Sequence, residues 1–329
     1  MRKLLLVLLG FGMTVSLRAN PILVMTNQET TRLPAGGLVP LTSNQVQMKS
    51  EDLYVSPDAV RAQFEFLNDT DKDVKADMAF PLPDIDTFRF WNNAIGTVKR
   101  DSVNFVGFTA TSGGTPILLK VDQRAFVNGK DVTALIVSAG LPVNLKGWTF
   151  ILDRLPADTR RRLAAAGAIG ANDPNSSEMH PTSYYPKWVV STTFYWKQVF
   201  PAQKPVAIDI SYQPVTGSSY REMMTAETHP SIAEYYCIDT STWTPLKIKQ
   251  QAPLGHRVTL GRRTDYILKT ANNWNGPIGH FRLTLDKLKA NNTLSLCWDG
   301  ELKKIGPTTF ESTFTNFAPA RDIHMLVIE

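Results

Sequence analysis

Apolar and polar residues alternate with a period of two along much of the 329-residue chain. In VRAQFEFLN, Val60, Ala62, Phe64 and Phe66 alternate with Arg61, Gln63 and Glu65. In VAIDISYQP, Val206, Ile208, Ile210 and Tyr212 alternate with Asp209, Ser211 and Gln213. In FRLTLDK, Phe281, Leu283 and Leu285 alternate with Arg282, Thr284 and Asp286. Successive side chains of a strand point to opposite faces, so each stretch predicts a strand with one face in a core and one in water. The closing run DIHMLVIE is more continuously apolar and predicts a central strand.

Turn signals separate these runs. Asn128-Gly129 in FVNGKDV predicts a tight hairpin turn, and SGGTP (112–116), TGSS (216–219) and NGPIG (275–279) mark further breaks. Two helices are predicted in the middle of the chain. Asp131 opens the first, which Gly140 and Pro142 stop; Asp158 and a run of alanines favour the second, which ends at Gly167. Leu155 and Leu163 are expected to face the core, and Arg160, Arg161 and Arg162 to form a solvated face. The fold class read from this pattern is mainly β, with two antiparallel β-sandwich-like units and a small helical insertion around residues 131–170. The loop GANDPNSSEMHP (170–181) is the expected boundary between an N-terminal β domain, residues 20–181, and a C-terminal one, residues 182–329. FEFLNDTDKDVKADMAFPLPDID and TFYWKQVFPAQKPVAIDISYQP share a loose theme, too loose to establish duplication.

The first 19 residues have a separate meaning. Arg2 and Lys3 precede an apolar run from Leu4 to Leu17, and Ala19 is a small residue at a plausible cleavage point. This is the layout of a secretory signal peptide, and the run is shorter than the roughly 20 residues of a spanning helix. The expected location is the periplasm or outside the cell, after cleavage near Ala19. An integral membrane segment is not expected after that cut. Losing Arg2, Lys3 and Arg18 lowers the basic count from 35 to 32 against 30 acidic residues, so the net charge falls from +5 to +2. That balance gives little support to a nucleic-acid partner, which requires a concentrated basic patch.

Export changes the reading of the two cysteines. In an oxidising compartment Cys237 and Cys297 are expected to pair, closing a 60-residue span. The rivals are a free buried pair and a nucleophilic Cys237 served by His229 or Asp239; a nucleophile needs a lowered thiol pKa and a positioned base, which sequence neighbours alone do not supply.

Other candidate chemistry is sparse. Asp69, Asp71 and Asp73 have the alternate spacing of a calcium loop, but Val74 stands where such a loop needs glycine and Phe80 where it needs glutamate. They are a weak metal candidate, and a turn between strands is the favoured reading. His180, His229, His256, His280 and His324 show no zinc spacing, and no nucleophile-elbow, dinucleotide or P-loop motif occurs. No catalytic residue and no cofactor is assigned. Trp274, flanked by Asn272, Asn273 and Asn275, could stack on a sugar while the amides bind its hydroxyls; the opposing reading is a core ring that pins the loop.

Several stretches taken jointly carry a resemblance. They are PAGGL (34–38), MKSEDLYVSP (48–57), FPLPDID (80–86), GKDVTALIVSAGLP (129–142), TFYWKQVFPA (193–202), DYILKTANNWNGPIGHF (265–281) and IGPTTFE (305–311). From about residue 30 onward the chain resembles a family of exported Gram-negative bacterial proteins classed only as a domain of unknown function. The resemblance implies export and a mainly β build, with no catalytic residues to carry over. The functional expectation is a non-enzymatic binding or structural role in the envelope, toward an envelope protein or glycan. Its expected surface is the Trp274 loop together with the acidic turn at Asp69 to Asp73. The alternatives are a hydrolase of envelope polymers and a carbohydrate-binding module.

Overall fold

The computed structural model describes residues 22–25, 39–41, 43–88, 95–96, 102–144, 151–172, 183–219, 230–238 and 261–329. The leader expected at residues 1–19 lies outside them. The protein is mainly β; the described residues form three larger sheets, a small two-stranded one and few helices. Strands are numbered along the chain.

The largest sheet has eight strands. In spatial order they are Lys303–Lys304 (β20), Thr309–Phe317 (β21), Ile278–Asp286 (β18), Val46–Val55 (β3), Val60–Asn68 (β4), Pro205–Tyr212 (β15), Thr109–Ser112 (β8) and Thr115–Pro116 (β9). A seven-stranded sheet runs Lys130–Asp131 (β11), Lys120–Val127 (β10), Val189–Phe200 (β14), Val74–Pro81 (β5), Ile22–Met25 (β1) and Val39–Leu41 (β2), with Ile85–Asp86 (β6) also paired to β14. A five-stranded sheet runs Thr293–Ser295 (β19), Ile323–Ile328 (β22), Gly261–Tyr266 (β17), Thr216–Ser219 (β16) and Ile95–Gly96 (β7). Ile169–Ala171 (β12) and Tyr184–Pro186 (β13) form the small sheet.

The alternation read from the sequence is realised in β4, β15 and β18. Phe64 and Phe66, Ile208 and Ile210, and Phe281, Leu283 and Leu285 are buried, while Arg61, Gln63, Ser211 and Arg282 face solvent. The strand from Ile323 to Ile328 lies between two partners and is apolar on both faces, as its sequence predicts. Asn128 and Gly129 both take positive φ, 49° and 75°, in the turn joining β10 to β11. Helix α1 spans Thr133–Ser138, opened by a hydrogen bond from the Thr133 N–H to Asp131 Oδ1 at 2.8 Å. Helix α2 spans Ala157–Ala165 and buries Leu163. Leu155 lies half-buried against the core.

Two features depart from the sequence reading. Strands from both sides of residue 182 share the two large sheets. β14 sits between β10 and β5, and β15 sits between β4 and β8, so the sheets do not divide at the expected boundary. β18 runs parallel to β3 in an otherwise antiparallel set of pairings. No hairpin joins these distant strands, so nothing local dictates their direction.

The inner faces of the three larger sheets share one core. Phe80 of β5 pairs directly with Phe194 of β14. Phe108 stacks on Phe194 with ring centres 4.3 Å apart. Phe80 lies 5.2 Å from Phe108, 5.8 Å from Tyr212 of β15 and 6.2 Å from Tyr266 of β17. Each such pair adds about 0.5–1.5 kcal/mol beyond the area it buries.

A bulge in β3 sets which of its side chains face outward. Met48 pairs with Phe66, yet Ser50 pairs with Glu65, so Lys49 is one residue too many and the phase flips after it. Leu53 and Val55 then point inward, and Asp52 and Tyr54 outward. Glu51 also turns inward, where the Tyr266 hydroxyl donates to its Oε1 at 3.1 Å. Burial, with the Glu51 carboxylate beside it, drives the Tyr266 pKa well above its ordinary value. Gly279 makes room for the bulge, because a Cβ there would lie 2.6 Å from the Lys49 carbonyl oxygen.

Cys237 and Cys297 form a disulfide, so Cys237 is neither a free thiol nor a nucleophile. The bond follows helix α3, Pro230–Tyr235, and ties it beside β19. Tyr236 and Ile238 pack there on Leu326 and Ile328 of β22, and Ser295 Oγ donates to the Tyr236 carbonyl at 2.9 Å.

Replacing both cysteines by alanine should cost about 2–4 kcal/mol of stability, read as a lower denaturant midpoint under oxidising conditions. Gly279→Ala should cost about 1–3 kcal/mol through overpacking against the bulge, measured in the same way. A midpoint for Gly279→Ala equal to wild type would show that the bulge has slack.

Candidate functional site

The outward face of the eight-stranded sheet carries a groove of about 470 Å³ across β18, β3, β4, β15 and β8. Strand register builds it as two parallel rows of polar side chains. Across the sheet, the first row reads Asp52, Gln63, Asp209 and Thr111, with Arg282 beside Asp52 just outside the groove. Two residues along each strand, the second reads Thr284, Tyr54, Arg61, Ser211 and Thr109. Each residue is its neighbour's direct cross-strand partner, the position at which side chains interact most strongly.

The two rows are wired differently. Asp52 pairs with Arg282, which lifts the guanidinium pKa above its ordinary value. Tyr54 donates its hydroxyl to Asp286 Oδ2 at 2.9 Å. Burial is the main cause that raises the Tyr54 pKa, so the hydroxyl remains a donor at neutral pH. The Arg61 guanidinium sits 4.1 Å above the Tyr54 ring centre, a cation–π contact. Asp209 is held by neutral donors only: Gln63 Nε2 reaches Oδ1 at 3.1 Å, and Thr111 Oγ1 reaches Oδ2 at 3.2 Å. Among the described residues, the Asp209 side chain has no ion pair, and the Arg61 side chain has neither an ion pair nor a hydrogen bond.

The segments expected from the sequence to form the recognition surface do meet, at the other end of β3 and β4, but in a structural role. The Asn275 N–H donates to the Val46 carbonyl at 3.0 Å, and the Asp69 N–H to the Gln45 carbonyl at 3.3 Å. Trp274 is only 3% exposed and packs 4.5 Å from Phe66 and 6.0 Å from Phe200, ring centre to ring centre. It is the core ring of the two readings, so the expected stacking platform is withdrawn. Asn272 donates to the Pro319 carbonyl at 3.0 Å, and the Asn273 carbonyl accepts from the Ser43 N–H at 2.7 Å.

The acidic turn is a brace. Asn68 is fully buried; its Nδ2 donates to the Lys72 and Phe200 carbonyls at 2.8 and 2.9 Å, and its Oδ1 accepts from Thr70. Asp73 Oδ1 accepts from the Ala202 N–H at 3.0 Å. Asp69, Asp71 and Asp73 are exposed, and no group of three His, Cys, Asp or Glu among the described residues is arranged to hold a metal ion. His229 and Asp239, the expected partners of a reactive Cys237, lie outside the described residues. Arg160, Arg161 and Arg162 are engaged locally: Arg160 with the Asp153 and Leu155 carbonyls, Arg161 with Asp158 and Arg162 with Thr159.

Trp274→Ala should cost about 3–5 kcal/mol, the range for emptying a large aromatic site, measured by chemical denaturation. Loss of ligand binding with stability unchanged would instead restore the exposed-platform reading.

Comparison with known proteins gives a family. The model of a domain of unknown function, DUF4424, matches residues 26–326. Among solved structures, the chain is similar to a "putative nutrient binding protein" from Legionella pneumophila. The two are 15% identical with a TM-score of 0.46, over 94% of this chain and 70% of that one. No curated protein matches. Among the described residues, no helix is long and apolar enough to cross a membrane.

Proposed function

We propose that this chain, which belongs to the family defined by the domain of unknown function DUF4424, is an exported, non-enzymatic binding protein of the cell envelope. Its site is the groove on the outer face of the eight-stranded sheet, and its ligand is a small polar solute. The observation that carries the reading is the pair of polar rows, aligned by register over five strands around about 470 Å³ of open space. That size lies within the usual range for small-molecule sites. The side chains are donors and acceptors held on a rigid sheet, and the hydrogen bonds among them fix their directions before a ligand arrives. The signal-like leader supports export, and the Cys237–Cys297 disulfide is compatible with it.

A glycan has less support than a compact solute. The Trp274 ring is buried, and Arg61 covers the Tyr54 ring where a sugar would stack. A hydrolase gains no specific observation: the groove gathers carboxylates, amides and hydroxyls without a histidine among its lining residues.

Ser211 is exposed in the second row, between Arg61 and Thr109, and a large side chain there would fill the groove. Native mass spectrometry of protein recovered from its own envelope fraction should show wild type carrying a retained small molecule. Ser211→Trp should lose that mass with an unchanged unfolding midpoint. Retention of the same mass by Ser211→Trp would place the ligand elsewhere. A bare wild-type chain would favour a protein partner.

A further inference from the structure

Two groups in the groove are left without a charged partner. Arg61 presents a guanidinium whose only described contact is the face of Tyr54, and Asp209 presents a carboxylate bound by an amide and a hydroxyl. Of the other charged side chains that line the groove, Asp52 is paired with Arg282. Arg61 pairs across the strands with Ser211, two residues beyond Asp209, so the unmatched cation and the unmatched anion are diagonal neighbours on adjacent strands. The Cα atoms of such neighbours stand about 7–8 Å apart, within reach of long side chains. Their placement sets an anion-binding and a cation-binding group at either end of one short diagonal.

We infer that the groove recognises a small zwitterion of the free α-amino acid class, with its carboxylate on Arg61 and its ammonium on Asp209. The two side chains rise from one face of adjacent strands within reach of each other, so one small molecule can take a charge-assisted hydrogen bond of about 2.7–2.9 Å from each. The guanidinium offers a planar fork to a carboxylate, and its stacking on Tyr54 holds that plane in place. Asp209 keeps its orientation through Gln63 and Thr111, which contribute no charge, so its attraction for an ammonium group is not spent within the protein. Groove residues beyond this diagonal, among them Thr109 and Thr284, are left to meet the ligand's side chain.

The inference rests on the binding role proposed above for the same groove, and the test separates the two. The full chain is titrated, by ligand-observed NMR and calorimetry, with a mixture of common free amino acids. The same titration is made with their N-acetyl and methyl-ester derivatives and with a neutral hexose. The expected result is binding of one or more free amino acids, weakened about tenfold or more by either derivatisation. Asp209→Asn and Arg61→Gln, both at solvent-facing positions of formed strands, should each weaken binding of the free amino acid to a similar degree. The reciprocal pattern is decisive: Asp209→Asn should not further weaken the N-acetyl compound, and Arg61→Gln should not further weaken the methyl ester. Equal binding of free and derivatised forms would overturn the inference, as would failure of every free amino acid to bind. If that failure accompanies a native ligand lost from Ser211→Trp, the groove is a binding site for another class of solute. If Ser211→Trp retains the native ligand, the groove itself is excluded.

Discussion

The pairing register of β3, β4 and β15 is the constraint on which the rest of the molecule depends. β4 and β15 are paired from Pro205 with Leu67 to Tyr212 with Val60, without a break. That register places Ala62, Phe64, Ile208 and Ile210 in the core and Arg61, Gln63, Asp209 and Ser211 on the outer face. A slip of one residue would exchange the two sets, burying charge and exposing aromatic surface. The same pairing therefore fixes both the inner aromatic seam and the outer polar groove. The bulge at Lys49 extends the arrangement to a third strand. Without its phase change, Asp52 and Tyr54 would be on the buried face, and the groove would lose its wall toward β18.

The outer face is neither a random solvated surface nor a fully neutralised one. Pairs such as Asp52 with Arg282, and Tyr54 with Asp286, hold side chains in fixed directions at low net benefit to stability, as exposed pairs generally do. Arg61 and Asp209 stand diagonally across the strands without pairing with each other. Their charges are thus available to a ligand, while their orientations are set by Tyr54, Gln63 and Thr111. Pre-set direction with unused charge is the property on which the proposed recognition role rests.

Much of this was legible in the sequence, and the parts that were not have physical reasons. The alternation in β4, β15 and β18 gave the strands and their wet faces because period two is a local property of the chain. The Asn128-Gly129 turn, the Gly167 helix end and the cysteine pair were equally local or rested on compartment. Neighbour relations were hidden: Arg61 and Asp209 lie far apart in sequence and meet only through pairing that no local pattern encodes. The interleaving of strands across residue 182 was missed for the same reason. Trp274 misled because an amide-rich turn can either display or cap an aromatic ring, and burial by Phe66 and Phe200 decides between them. One local signal was present and unused. In VQMKSEDLYV, Val46 and Met48 occupy even positions while Leu53 and Val55 occupy odd ones, a change of phase that marks the bulge.

The measurement that tests the account most directly is amide chemical-shift mapping of the intact, oxidised protein during titration with the solute recovered from its envelope fraction. The account predicts shifts centred on Arg61, Gln63, Asp209 and Ser211, with smaller ones at Asp52, Tyr54 and Thr111. Shifts centred on Asn272 to Asn275, on Asp69 to Asp73 or on the α3 segment, with the groove silent, would contradict it.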